Sequence, residues 1–218
     1  MGAKGAAAAL VSGGVESGAL LRAGLARYAR VTPIYIRTGL RWERVEQAWL
    51  RRLIAALNTP RLHRAVVLEV PVQDVYGRHW SVTGHGVPDA TSPDPAVYLP
   101  GRNLLLLGKA AVYAARNEVD ALLLGTLKDN PFPDATTPFF SAMAEAVELA
   151  LDRPLRIETP FKNFHKTDVL RRYDVPWGLT FSCIRPVGTR HCGRCNKCAE
   201  RRRAFGEAGM RDPTRYAR

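Results

Sequence analysis

The chain has 218 residues, 46% of them hydrophobic and 24% charged, with a formal net charge of +12. That composition suits one globular domain with a true core and a small appendage, and no apolar run approaches the roughly 20 residues needed to cross a membrane. The positive charge suits a polyanion such as nucleic acid, or a small anion such as ATP, without choosing between them.

In chain order, Ala6–Val11 is a run of small apolar residues leading into a glycine turn. It is expected to be a buried first strand rather than a secretory leader, which places the protein in the cytoplasm. Ser17–Arg30 has helical spacing of apolar residues, and Val31–Arg37 is rich in β-branched and aromatic residues, as in a strand. Trp42–Leu57 is expected to be an amphipathic helix with Val45, Trp49, Leu53 and Ala56 inward, followed by a third strand at Val66–Val70. This alternation implies a parallel sheet covered by helices. Gln73–Tyr98 lacks periodicity, and a loop of that length is usually functional or disordered. Asn103–Arg116 is almost wholly apolar and is expected to be a buried helix. A strand at Ala121–Gly125, a loop at Lys128–Pro138, a helix at Phe139–Leu151, a strand at Arg156–Thr159 and a helix at Thr167–Tyr173 follow. A terminal helix is expected at Cys195–Ala208. The expected division is a nucleotide-handling domain over residues 1–180 and a metal-binding module over residues 181–218.

Three segments carry chemistry. Ser12-Gly13-Gly14-Val15-Glu16-Ser17 follows a strand and opens a helix. Glycines admit backbone angles closed to other residues, and a helix start presents unpaired N–H groups and a partial positive charge. With the hydroxyls of Ser12 and Ser17 this forms an anion cradle, although the spacing is neither a Walker A loop nor GxGxxG. The plain alternative is a strand-to-helix turn. Pro100-Gly101-Arg102-Asn103 starts the apolar helix and sets Arg102 where it can meet an anion; a surface arginine at a helix entry is the alternative. Cys183, Cys192, Cys195 and Cys198 follow C-x8-C-x2-C-x2-C, with no cysteine elsewhere. Such spacing wraps thiolates around one tetrahedral ion, with an iron–sulfur cluster as the other metal option. His191 lies beside them as a competing ligand. Residues 183–218 also hold ten Lys or Arg against three acids, as a solvated basic tail or a nucleic-acid contact. Lys166 and Asp168 stand at a helix start, either to neutralise phosphate and bind magnesium or an amine, or merely to cap the helix.

Together these motifs resemble those of the 7-cyano-7-deazaguanine synthase family of PP-loop ATP pyrophosphatases. The first resembles SGGxDS, the second FVPGRN in Tyr98–Leu104, and the third the ending CGxCxxCxxR, with Arg201 as the last residue. Weaker likeness joins Glu158-Thr159-Pro160 and His165–Asp168 to the family's ETP…(D/N)KAE. Gly39 and Arg41 fall where the family has GQR. Asp129 and Asp134 fall in a loop matching ETDxSGYPDCR, of which only Pro133-Asp134 agrees. Glu16 replaces the family's Asp.

The resemblance spans Ala6 to about Phe205. It implies a Rossmann-like, adenine nucleotide alpha hydrolase-like α/β fold, homodimers, and one structural Zn2+ per chain on the four cysteines. It further implies ATP and Mg2+ handled by Ser12, Gly13, Gly14, Ser17, Gly101, Arg102 and Asn103. Glu16, Lys166 and Asp168 would act in catalysis, and Arg41, Asp129 and Asp134 would bind the substrate. The implied reaction converts 7-carboxy-7-deazaguanine and ammonia to 7-cyano-7-deazaguanine, a precursor of the tRNA base queuosine. Two further readings are a PP-loop enzyme adenylating another acid or nucleobase in nucleic-acid modification or defence, and a catalytically inactive zinc protein that binds nucleotide or nucleic acid.

Overall fold

The computed structural model describes residues 4–217. Residues 1–3 and 218, the outer ends of the two expected units, lie outside the described residues. The strands are β1 Lys4–Leu10, β2 Tyr28–Arg37, β3 Val66–Glu69, β4 Ala121–Leu123 and β5 Arg156–Glu158. They pair in parallel in the order β3-β2-β1-β4-β5. The helices are α1 Val15–Arg27, α2 Glu43–Ala56, α3 Gln73–Tyr76, α4 Trp80–Thr83, α5 Arg102–Arg116, α6 Thr137–Leu151, α7 Lys166–Arg172 and α8 Asn196–Glu207. The expected Rossmann-like α/β architecture is therefore present.

Both faces of the sheet are covered, which is why Ala6–Leu10 of β1 is a continuous apolar run rather than alternating. Ala7, Ala9 and Val11 join a cluster with Leu20, Leu21, Val169, Leu170 and Phe205, from α1, α7 and α8. Ala8 points the other way, to Ile34, Leu122, Leu107, Ala110 and Phe140, against α5 and α6. A third cluster gathers the four cysteines with Leu40, Trp42, Val97, Leu99 and Phe181.

Three expectations need correction. The inward face of α2 is Glu43, Glu46, Leu50 and Leu53, while Ala56 is exposed and Val45 and Trp49 are half-buried against the cysteine cluster. The two acids go inward because each finds partners. Glu43 accepts from the Thr38 and Gly39 amides at 2.6 and 3.0 Å, and Tyr35 Oη donates to Glu46 at 2.7 Å. Helix α5 is buried on one face only: Leu107, Ala110, Ala111 and Ala114 pack on the sheet, while Leu104 and Val112 are about half exposed. The segment Gln73–Tyr98 is not a bare loop. It forms α3, α4 and a 3-10 turn at Asp94–Val97, and Trp80 stacks on Trp42 with ring centroids 5.7 Å apart.

Strand β2 begins at Tyr28, three residues earlier than its β-branched run suggests, because α1 stops at Arg27 and Tyr28 is wholly buried.

Candidate active site and four-cysteine centre

The order β3-β2-β1-β4-β5 makes the connections from β1 and β4 leave the sheet in opposite directions. A crevice opens at such a switch point, beyond the carboxyl ends of the strands. Here it is a cavity of about 570 Å³, in the range of small-molecule sites. Ser12, Gly14, Glu16 and Ser17 line it from the end of β1, Gly125 and Thr126 from the end of β4, and Arg102 and Asn103 from the start of α5.

The turn after β1 is built by hydrogen bonds that leave its helix start open. Ser17 Oγ accepts from the Ser12 amide at 2.9 Å and lies 3.3 Å from Ser12 Oγ. Gly13 has φ +88, and a side chain there would press on Leu50 Cβ at 3.3 Å. Gly14 is the N-cap of α1 and offers no side chain to the first-turn amides. Those N–H groups and the helix dipole therefore face the cavity mouth unsatisfied, the arrangement that holds anions.

Arg102 lies across the cavity, and its buried Nε has no hydrogen-bond partner. It makes no ion pair within 4.0 Å among the described residues. A buried N–H donor left unpaired is costly, and an incoming anion would satisfy it. Asp134 fixes the segment around it. Its Oδ2 accepts from the Asn103 amide at 2.9 Å, and Asn103 Nδ2 donates to the Asp134 carbonyl at 2.8 Å. Gly101, with φ +67, makes the turn into α5 and is not itself in the cavity wall. Beneath Arg102 lies Glu46, whose pKa is pushed up to about 7 by burial, against the lowering influence of Tyr35 and Arg102. The Thr126 hydroxyl is a second buried group without a partner on the cavity wall.

Lys166 enters from the start of α7. Its Nζ lies 2.8 Å from Glu16 Oε1 and also contacts Glu200 Oε1. Burial alone would lower the lysine pKa, but the Glu16 and Glu200 carboxylates outweigh it and hold it above the usual lysine range. Gly125 gives Glu16 room, since a Cβ there would stand 3.1 Å from Glu16 Cβ.

Arg41 and Asp168, like Gly13 and Gly101, stand apart from the cavity wall. Asp168 accepts from the His165 amide at 2.9 Å, so it caps the helix that carries Lys166. Arg41 is exposed on the connection before α2, beside Gly84. Asp129 does line the cavity and contacts His165 Nδ1.

The four cysteines are buried, and their Sγ atoms lie within 4.8 Å of one another. Two pairs, Cys183–Cys195 and Cys192–Cys198, are 3.9 Å apart. Zn–S bonds of about 2.3 Å in a tetrahedron demand sulfur separations near ~3.8 Å, so this donor set fits one Zn2+. Amides of Arg185, Cys192 and Arg194 donate to the sulfurs at 3.3 Å, as suits thiolates. Hydrogen bonds from Cys183 and Cys198 favour the Cys195 thiolate, and the same crowding raises Cys183. His191 is not a fifth donor. It is buried between Trp49, Phe181 and Tyr216, its Nε2 accepts from the Ser182 amide at 3.1 Å, and burial lowers its pKa to about 4. Arg201, from the terminal motif, is an internal brace. Its guanidinium donates to Thr180 Oγ1 at 2.7 Å and the Trp177 carbonyl at 2.9 Å, and pairs with Asp212 at 3.2 Å.

The family model described as Queuosine biosynthesis protein QueC matches residues 6–209. The chain belongs to the QueC family. It is 30% identical to the 7-cyano-7-deazaguanine synthase of Anaeromyxobacter dehalogenans (strain 2CP-C), over 97% of this chain and 96% of that protein. Identity to the protein of the same name from Persephonella marina is 31%, over 94% and 93% of the two chains. Among solved structures, a predicted subunit of a tRNA methyltransferase from Methanocaldococcus jannaschii aligns with 76% of this chain and 72% of its own, at TM-score 0.47 and 16% identity.

Within this QueC-family cavity, the charged residues to which the motif reading gave no role are Glu46, Asp94, Lys197, Glu200, Arg203 and Glu207. Glu46 had a signal, because it falls in helical register with Leu50 and Leu53. Glu200 had none beyond its place two residues after Cys198.

Proposed function

We propose that this chain converts 7-carboxy-7-deazaguanine and ammonia to 7-cyano-7-deazaguanine at the expense of ATP, as a ligase of queuosine biosynthesis. The observation that carries the reading is the meeting, in one cavity, of an open helix start and an arginine whose buried Nε has no partner. Two anion-directed features facing each other suit a reaction between a nucleoside triphosphate and a carboxylate.

The chemistry explains why both are needed. A carboxylate resists attack by ammonia until one oxygen becomes a good leaving group. Transfer of AMP from ATP to that oxygen releases pyrophosphate, and ammonia then displaces AMP to give the amide. A second adenylation, on the amide oxygen, followed by loss of AMP and a proton leaves the nitrile. In this reading Ser12, Gly13, Gly14 and Ser17 hold the phosphates through main-chain N–H groups and hydroxyls. Arg102, steadied by Asn103 and Asp134, meets phosphate or the substrate carboxylate. Lys166 offsets charge developing on pyrophosphate, and Asp168 acts at one remove by capping the helix that presents Lys166. Glu16 supplies a hard oxygen donor for the Mg2+ that accompanies ATP, the donor type that ion requires. Asp129 faces the substrate end of the cavity. Arg41 reaches substrate only if its connection closes over the site.

Cys183, Cys192, Cys195 and Cys198 would hold Zn2+ with no open position, so its role is structural. A homodimer would cover the exposed apolar residues Leu104 and Val112 on α5 and Leu149 on α6. The test is pyrophosphate release by purified protein with ATP, Mg2+, ammonia and a panel of 7-deazaguanine acids. Release dependent on the 7-carboxy compound supports the reading; release with another acid only, or none, rejects it.

A further inference from the structure

The cysteine module does more than close the end of the chain. Lys197 stands between Cys195 and Cys198, at the start of α8, and Glu200 follows one turn later; both line the cavity. Glu200 is shared between two cations. Its Oε1 contacts Lys166 Nζ, and its Oε2 lies 2.6 Å from Lys197 Nζ. Lys166 in turn reaches Glu16 on the first turn of α1. The chain of contacts thus runs from the cysteine centre through Lys197 and Glu200 to Lys166, and ends in the glycine turn. A backbone link runs beside it, since the Phe181 amide, two residues before Cys183, donates to the Gly13 carbonyl at 2.7 Å.

These side chains are largely withdrawn from solvent, with relative exposures of 16% for Lys166 and 18% for Glu200. A lysine has four rotatable bonds and loses much freedom when fixed. With Glu16 alone it could swing on one contact, and a second carboxylate on a different helix removes that freedom. The direction of Glu200 is itself set by α8, whose N-cap is Cys195 and whose first turn contains Cys198.

We propose that Glu200 is a positioning residue: from the helix anchored by the cysteine centre it holds the Lys166 ammonium against Glu16, so that the state of the metal site is felt at the phosphate loop. Resting on the proposed role of Lys166 toward phosphate, this assigns the metal module a part in organising the active site. Lys197 is the second cation the module brings to the cavity.

The test is amine acylation mapped by mass spectrometry on the full-length protein, with exposed Lys109 as internal reference. Removing one contacting carboxylate from a lysine lowers its pKa by about one unit or more, roughly tenfold in free amine. Glu200→Gln is therefore expected to label Lys166 about tenfold faster than wild type, with unchanged metal content. Wild type stripped by a chelator should show the same acceleration at Lys166, with Lys109 unchanged. If Glu200→Gln fails to fold, Glu200→Asp keeps the charge, shortens the arm and is expected to show a smaller rise. Unchanged Lys166 labelling in a folded Glu200 variant, or protection that survives metal removal, overturns the proposal. Labelling needs no turnover, so it stands or falls separately from the synthase reading, which pyrophosphate release tests.

Discussion

Glu46→Gln is expected to stabilise the ligand-free protein at alkaline pH and to leave it little changed in acid. In the fold Glu46 is 7% exposed, and burial raises its pKa from 4.5 to about 7. The folded state therefore binds this proton more tightly than the unfolded chain does. Stability from this group is full below pH 4.5, falls as pH rises towards 7, and is constant above. At ~1.4 kcal/mol per pH unit, the interval corresponds to roughly 3 kcal/mol as an upper figure. Glutamine stays neutral and can still accept from Tyr35, so it escapes that cost. Urea denaturation of wild type and variant at pH 5 and pH 8 measures the effect. The gap between the two proteins should open by about 2–3 kcal/mol in favour of the variant on going to pH 8. An equal gap at both pH values would show that Glu46 is solvated, or that Arg102 meets it closely enough to keep it charged.

Cys195→Ser should abolish binding of about one zinc per chain and destabilise the C-terminal module; elemental analysis and thermal unfolding check this, and iron with a visible charge-transfer band would refute it. Arg102→Ala should weaken binding of ATP or of the acid by about 1.5–3 kcal/mol, the worth of a charge-assisted hydrogen bond; unchanged calorimetric affinity for both would leave its unpaired Nε unexplained. Glu16→Ala should bind ATP but release no pyrophosphate. Glu16→Asp should retain activity if the surrounding shell tolerates a carboxylate drawn back by about 1.5 Å, and equal rates in all three proteins would remove Glu16 from the chemistry.

The sheet was legible because both its faces are covered: β1, β2 and β4 are near-continuous apolar runs, and the helices between them carry the 3.6-residue period. The glycine turn after β1 was legible because its glycines answer a local backbone demand, met at Gly13 with its positive φ. The four cysteines announced themselves by spacing. What sequence hid was tertiary. Glu43 and Glu46 face inward although acids normally mark the solvent side of a helix, because Thr38, Gly39 and Tyr35 supply partners from outside it. The apolar residues of α5 looked buried all round, yet the sheet covers only one side. Glu200 reaches the cavity only because α8 packs beside α7, which brings together two residues, Lys166 and Glu200, that are 34 apart in sequence. Asp168 was balanced between catalysis and capping by sequence, and the His165 amide shows where its carboxylate is engaged.

The measurement that bears most directly on the account is product stoichiometry. Purified protein would be incubated with 7-carboxy-7-deazaguanine, ammonia, ATP and Mg2+, and nitrile, AMP and pyrophosphate quantified together. The account predicts 7-cyano-7-deazaguanine with two AMP and two pyrophosphate for each nitrile, one pair for each of the two adenylations. ATP binding without pyrophosphate release, or ADP and phosphate in place of AMP and pyrophosphate, would contradict it.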